Sequence, residues 1–132
     1  MKQTGLSARF SMKEFTQKER TLSIKERVVP ASGLRFTVEV EGREVGRAYL
    51  YILKNDLHEQ PFGLLEDVFI DHESRKLGLG NRLIRAILME AHNQNCYKVI
   101  ATSRNDGSRD VVHAWYERCG FKSYGTEFRM DF

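Results

Sequence analysis

The stretch LLEDVFIDHESRKLGLGNRLIRAILMEAHNQNCYKVIAT, residues 64–102, decides the fold. It opens with LLEDVFID, whose apolar residues are nearly continuous, as expected for a central strand covered on both faces. Arg75 to Gly80 forms a basic turn carrying two glycines. From Asn81 to Gln94, the residues Leu83, Ile84, Ile87, Leu88 and Ala91 recur at helical spacing and make one apolar stripe. Tyr97 to Thr102 is a short β-favouring run. Strand, helix and strand at this spacing predict a right-handed parallel crossover.

Upstream, LRFTVEVE (34–41) alternates with period two, Glu41-Gly42 supplies a turn, and EVGRAYLYIL (44–53) resumes with β-formers, which predicts a hairpin. Pro30-Ala31-Ser32-Gly33 reads as punctuation before it, and KNDLHEQPFG (54–63) as a loop after it. Nearer the start, RFSMKEF (9–15) has the loose alternation of an edge strand, while KERTLSIKERVV (18–29) fits a helix or a second strand. Downstream, the loop SRNDGSRD (103–110) leads to a second helix, DVVHAWYERC (110–119), with Gly120 placed to end it. FKSYGTEFRMDF (121–132) reads as one or two closing strands. The whole is α/β: a mixed sheet with helices packed on it, in a single domain over residues 1–132.

Composition narrows the function classes. Of 132 residues, 41% are hydrophobic and 30% charged, as in an ordinary soluble globular protein. No apolar run approaches the roughly 20 residues that span a bilayer, and the opening MKQTGLSARFSMKEF has no apolar core of a secretion signal. A membrane role is therefore not expected. The net charge of +3 comes with cations and anions interleaved almost everywhere, which argues against nucleic acid as a partner. Cys96 and Cys119 lie far apart and outside any metal-ligand spacing; they read as reduced thiols in a cytoplasmic protein, with no metal site. His58, His72 and His92 show no ligand spacing either.

The turn RKLGLG carries the chemistry. Gly78 and Gly80 remove Cβ atoms where a ligand could press on the main chain. The first amides of the following helix lack internal partners and sit at the positive end of its dipole, so an anion such as a diphosphate suits them. Arg75 and Lys76 add formal positive charge. Such a turn equally well serves as a plain strand-to-helix connection. It lacks the Gly-Lys-Ser/Thr ending of a P-loop and the full GxGxxG of dinucleotide folds.

Arg75-x-x-Gly78-x-Gly80 resembles the Arg/Gln-x-x-Gly-x-Gly/Ala signature of the GNAT N-acetyltransferase superfamily. LLEDVFID precedes it as in that family, and HAWYERCGF (113–121) is similar to the family's Phe-Tyr-Glu-Lys-x-Gly-Phe block. The resemblance covers roughly residues 34–124. It implies a GNAT-like fold and a transfer of acetyl from acetyl-CoA to an amine. It further implies that residues 75–80 (Arg75, Lys76, Leu77, Gly78, Leu79, Gly80) hold the coenzyme A diphosphate. Val68, Phe69 and Ile70, on a bulged and splayed strand, would bond the pantetheine arm through their main chain and polarise the thioester oxygen. Tyr116 matches the family's general acid. Glu66 is the expected base, with Asp67 and His113 as alternatives, and an amine of low pKa needs none. Counting back from Tyr116 puts Arg109, rather than Asn105, at the position of a further coenzyme A contact.

Locally, Glu66-Asp67-Val68-x-Ile70, Cys96-Tyr97-Lys98-Val99-Ile100 and Tyr116-Glu117-Arg118-Cys119-Gly120-Phe121 resemble the glucosamine-6-phosphate N-acetyltransferase branch. Thr102 departs from it, because that branch has an acidic residue there. The acceptor expected is a small primary amine; a peptide acceptor, or a domain that only binds coenzyme A, are the alternatives. Exposed edge strands make a homodimer plausible.

Overall fold

In the computed structural model, which describes residues 14–17 and 20–132, strands β1 (Glu14–Gln17) and β2 (Arg20–Ser23) form an antiparallel hairpin. The strand alternative for residues 18–29 thus holds over Arg20–Ser23; the part of RFSMKEF before Glu14 lies outside the described residues. By its contacts the chain divides into a small unit, Met1–Val28 with Phe128–Phe132, and a large one, Val29–Glu127. Every residue of the candidate site belongs to the large unit.

That unit is built on a four-stranded sheet of order β3-β4-β5-β6. Strand β3 (Ala31–Val40) and β4 (Arg43–Leu53) pair through a two-residue turn in which Glu41 and Gly42 both take positive φ, 53° and 79°. These are the left-handed conformations a tight primed turn demands. β3 starts earlier than the sequence implied: Ala31, Ser32 and Gly33 belong to the strand. The Tyr51 ring lies where a Cβ on Gly33 would be, 3.0 Å from it, so this glycine makes room for a cross-strand aromatic.

Strand β5 (Phe62–Ile70) lies antiparallel to β4, and β6 (Val99–Ala101) parallel to β5. The 15-residue helix α1 (Leu79–Asn93) forms the crossover, starting two residues before the expected Asn81. Its stripe of Leu83, Ile84, Ile87 and Ala91 packs on Ala48, Leu50, Ile52, Leu65 and Ile70. Each such fully buried aliphatic side chain contributes about 1.5–3 kcal/mol, and this one layer is the core.

The opposite sheet face is not covered in the same way, which corrects the reading of β5 as buried on both sides. On that face Phe69 is 45% exposed and Tyr51 is also exposed, whereas the helix α2 (Asp110–Arg118), none of whose residues is fully buried, packs Trp115, Tyr116 and its C-cap Cys119 on the same core as α1. The apolar run in β5 is continuous for a different reason, a bulge described below. The expected closing strands are absent too: residues 121–132 form no strand, and Tyr124, Phe128, Met130 and Phe132 are exposed. Phe128, Met130 and Phe132 alternate with charged residues as a strand would, but an alternating segment becomes a strand only against an edge that pairs with it.

Candidate active site

The loop between β5 and α1 is a 3-10 turn, His72–Leu77, that ends at Gly78. Gly78 has φ 72° and ψ 18°, a left-handed conformation that a Cβ would strain, and it joins the turn to α1. No side chain caps the helix start. Arg82 N–H is the first main-chain donor of α1 bonded back, to Gly78 O at 3.3 Å. The amides of Leu79, Gly80 and Asn81 therefore face the open end of the helix, and nothing lies within 4 Å of where a Gly78 Cβ would stand. This donor set, at the positive end of a dipole and without competing carboxylates in the first turn, fits a diphosphate.

The basic residues of the turn divide their work. Lys76 and Leu77 are exposed. Arg75 is exposed too, but its Nε donates to the Ile70 carbonyl at 2.9 Å and its guanidinium lies 6.0 Å from the centre of the Phe69 ring. It ties the turn to the end of β5 before it offers anything to a ligand. Gly80 also differs from expectation. A Cβ there would meet Trp115 Cζ2 at 3.3 Å, so its bareness admits the indole of α2 rather than a ligand.

β5 itself is bulged. Tyr49 pairs with Glu66 and Arg47 with Phe69, so Asp67 and Val68 stand opposite Ala48 alone. Asp67 is the residue that bends, with φ 55°. An inserted residue shifts which side chains share a face. Glu66 and Phe69 consequently lie on one face with Tyr49 and Arg47, and Arg47 stacks on the Phe69 ring at 5.2 Å. Val68 packs toward the core and Ile70 is buried in it. On its other side, β5 pairs with β6 only over Gly63 to Leu65. Strand β6 ends at Ala101, opposite Leu65, so the β6-facing edge of residues 66–70 has no ladder partner among the described residues. A row of main-chain donors and acceptors is thus presented beside the glycine turn.

Helix α2 brings the tyrosine. Its end is a Schellman motif: Phe121 N–H donates to Tyr116 O at 3.0 Å and Gly120 N–H to Glu117 O at 3.0 Å, with Gly120 at φ 105°. The hydrophobic contact that accompanies this motif is here Phe121 on Tyr116, ring centroids 5.3 Å apart and nearly edge-on at 62°. Trp115 flanks the other side at 5.2 Å. Burial first, then the charges of Cys119 and Glu66, hold the Tyr116 phenol above its ordinary pKa. Glu66 makes the smallest of these contributions. A phenol kept protonated is able to give a proton.

The remaining candidates are less convergent. Asp67 is exposed at the bulge, and His113 is half-buried on α2. Arg109 is the exposed N-cap residue of α2, its carbonyl accepting from His113 N–H at 2.9 Å. A groove of about 620 Å³ runs along α1 from Asn81 to Asn93 and past Arg118, but neither Glu66 nor Tyr116 lines it. Sequence reading missed Asn81 and Trp115, which join α1 to α2 by a hydrogen bond of 2.7 Å from Trp115 Nε1 to Asn81 Oδ1. They stand 34 residues apart, and no spacing rule links them. Among the described residues, no cluster of His, Cys, Asp or Glu is arranged to hold a metal ion.

A bulged strand with an unpaired outer edge, beside a capless, glycine-led helix start, sets the candidate site in an α/β fold. The chain belongs to the acetyltransferase (GNAT) family, whose model matches residues 5–121. It is 34% identical over 97 residues to the glucosamine 6-phosphate N-acetyltransferase of Trypanosoma brucei brucei, covering 73% of this chain and 63% of that protein. It is 32% identical over 92 residues to the enzyme of the same name in Candida albicans, covering 69% and 58%. The chain thus spans less than two thirds of the length of these relatives. Among solved structures, a Trypanosoma brucei acetyltransferase superposes with a TM-score of 0.65 at 30% identity, covering 77% of this chain and 69% of the other.

Proposed function

We propose that this protein transfers an acetyl group from acetyl-CoA to a primary amine of a small molecule, directly and without a covalent enzyme intermediate. The observation that carries the reading is the open set of amides after Gly78, set beside the bulged end of β5 whose β6-facing edge has no ladder partner beyond Leu65 among the described residues. The amides around Gly78, with Lys76 and the free nitrogens of Arg75, hold the diphosphate. Arg109 makes a further contact to coenzyme A, and the main chain of Val68, Phe69 and Ile70 on the edge beyond β6 holds the pantetheine, apart from the Ile70 carbonyl, which accepts from Arg75. A main-chain N–H of the bulge polarises the thioester oxygen.

Glu66 takes the proton from the acceptor ammonium, freeing its lone pair. The amine nitrogen bonds to the thioester carbon, the C–S bond breaks as Tyr116 gives its proton to the departing sulfur, and the second proton shed by the new amide nitrogen returns to the Tyr116 oxygen. Proximity supplies much of the acceleration, up to about 7–11 kcal/mol for well-aligned reactants. The names of the relatives make glucosamine 6-phosphate the first acceptor to try. Two thiols that form no disulfide, Cys96 and Cys119, accord with a cytoplasmic setting. Open edges at β3 and β6, with exposed Phe128, Met130 and Phe132, support a homodimer of single-domain chains; sedimentation at micromolar concentration is expected to return twice the chain mass.

Calorimetry with acetyl-CoA, followed by release of free thiol in the presence of an amine panel, tests the activity. We expect micromolar binding and thiol release with an amino sugar phosphate above that with a peptide. Binding without release for any amine would leave a coenzyme A-binding domain, and absence of binding would end the reading.

A further inference from the structure

The geometry points to Asn81 and Trp115 as a positioning pair that fixes Tyr116 relative to the phosphate-binding turn; the inference rests on the general-acid reading of Tyr116 and adds residues that neither donate a proton nor touch the acetyl group. Three observations carry it. Trp115 Nε1–H donates to Asn81 Oδ1 at 2.7 Å, the hydrogen bond that links α2 to the first turn of α1. The indole edge sits against Gly80, where any side chain would press on it at 3.3 Å. Trp115 immediately precedes Tyr116 and their rings are 5.2 Å apart.

Trp115, Tyr116 and Cys119 pack α2 against the core, but lightly. The helix buries none of its residues fully and is only nine residues long, short for a helix that must keep one hydroxyl in register. Its far end is fixed from within, by the Schellman cap and the Phe121 contact, which set the tyrosine ring relative to its own helix. Apolar packing seats the helix but sets no direction, so placement relative to the ligand also draws on a polar contact between helices. The Asn81–Trp115 bond supplies it, and it does so at the very turn whose amides receive the diphosphate. The amides assigned to the diphosphate and the groups that seat Trp115 therefore belong to one turn, Gly78 to Asn81. A displacement of about 1 Å at the reacting centre is enough to cost a large factor in rate.

Asn81→Leu removes the acceptor, and Trp115→Phe removes the N–H while keeping a ring over Gly80. Turnover at saturating acetyl-CoA is measured for both, in the native background and with Tyr116→Phe. Each is expected to lower kcat about tenfold in the native background, with acetyl-CoA affinity by calorimetry within about twofold. The double variant is expected to be no slower than either single one. In the Tyr116→Phe background the same changes are expected to do nothing further, since there is no proton left to place. An equal loss in both backgrounds, or no loss in the native one, overturns the positioning role while leaving the general acid intact. Native turnover in Tyr116→Phe alone rejects the general acid, and with it this inference.

Discussion

Tyr116→Phe is expected to reduce kcat by about 10²–10⁴-fold, the usual contribution of a well-placed general acid, while acetyl-CoA binds as before. The substitution removes one oxygen and keeps the ring that packs between Trp115 and Phe121, so the fold around it has no reason to change. The phenol is protonated at neutral pH by a wide margin, because burial and the neighbouring Glu66 carboxylate both disfavour the phenolate. The sign of the pH dependence follows. An acid acts in its protonated form, so the wild-type rate falls only as pH rises through the elevated tyrosine pKa, beyond the range of an ordinary phenol. In the variant that alkaline limb is expected to vanish, leaving the lower-pH rise set by the base and the amine. A variant that kept the limb, or lost acetyl-CoA affinity in step with rate, would show that Tyr116 packs and does not react.

The sequence made the scaffold legible because the scaffold is written in periodicities. LRFTVEVE alternates and becomes β3; the stripe from Leu83 to Ala91 becomes the buried face of α1; Gly120 does end α2, in the left-handed conformation that glycine there implied. What local pattern could not hold is what depends on a partner. The alternation in Phe128 to Phe132 is as clean as that of β3, yet no strand forms, because pattern specifies a face and not the edge that would receive it. The continuous apolar run of β5 was ambiguous between a strand covered twice and a strand whose faces change at a bulge; positive φ at Asp67 shows the second. In the site, the segments were readable but not the division of labour within them. Arg75 looked like a ligand-facing cation, and its Nε is spent on Ile70 O; Gly80 looked like space for a phosphate, and Trp115 lies on it. Tertiary contacts between residues 34 apart, such as Asn81 with Trp115, leave no trace in spacing at all.

Gly78→Asp is expected to weaken acetyl-CoA binding by at least about 100-fold, and its comparison with Gly78→Ala separates the two reasons. At φ 72° either side chain must adopt a left-handed backbone, which costs about 1–2 kcal/mol and lowers the melting temperature by several degrees in both. Neither collides with the protein, since nothing lies within 4 Å of the added Cβ. The difference between them is the carboxylate. Set among the amides of Leu79, Gly80 and Asn81, it takes the bonds meant for the diphosphate and repels it as well. Two like charges about 4 Å apart oppose each other by roughly 1 kcal/mol in water and about 4 kcal/mol at a partly shielded surface, and a diphosphate carries more than one. Every 1.4 kcal/mol is tenfold in affinity, so repulsion alone reaches the stated loss. Asp at this place also mimics a helix cap, and part of the strain is returned as stability while binding is still lost. Calorimetry at low and high salt reads the charge directly: added salt is expected to recover part of the affinity in Gly78→Asp and none in Gly78→Ala. If the aspartate bound acetyl-CoA as tightly as the alanine did, the diphosphate would have to lie elsewhere than on this turn.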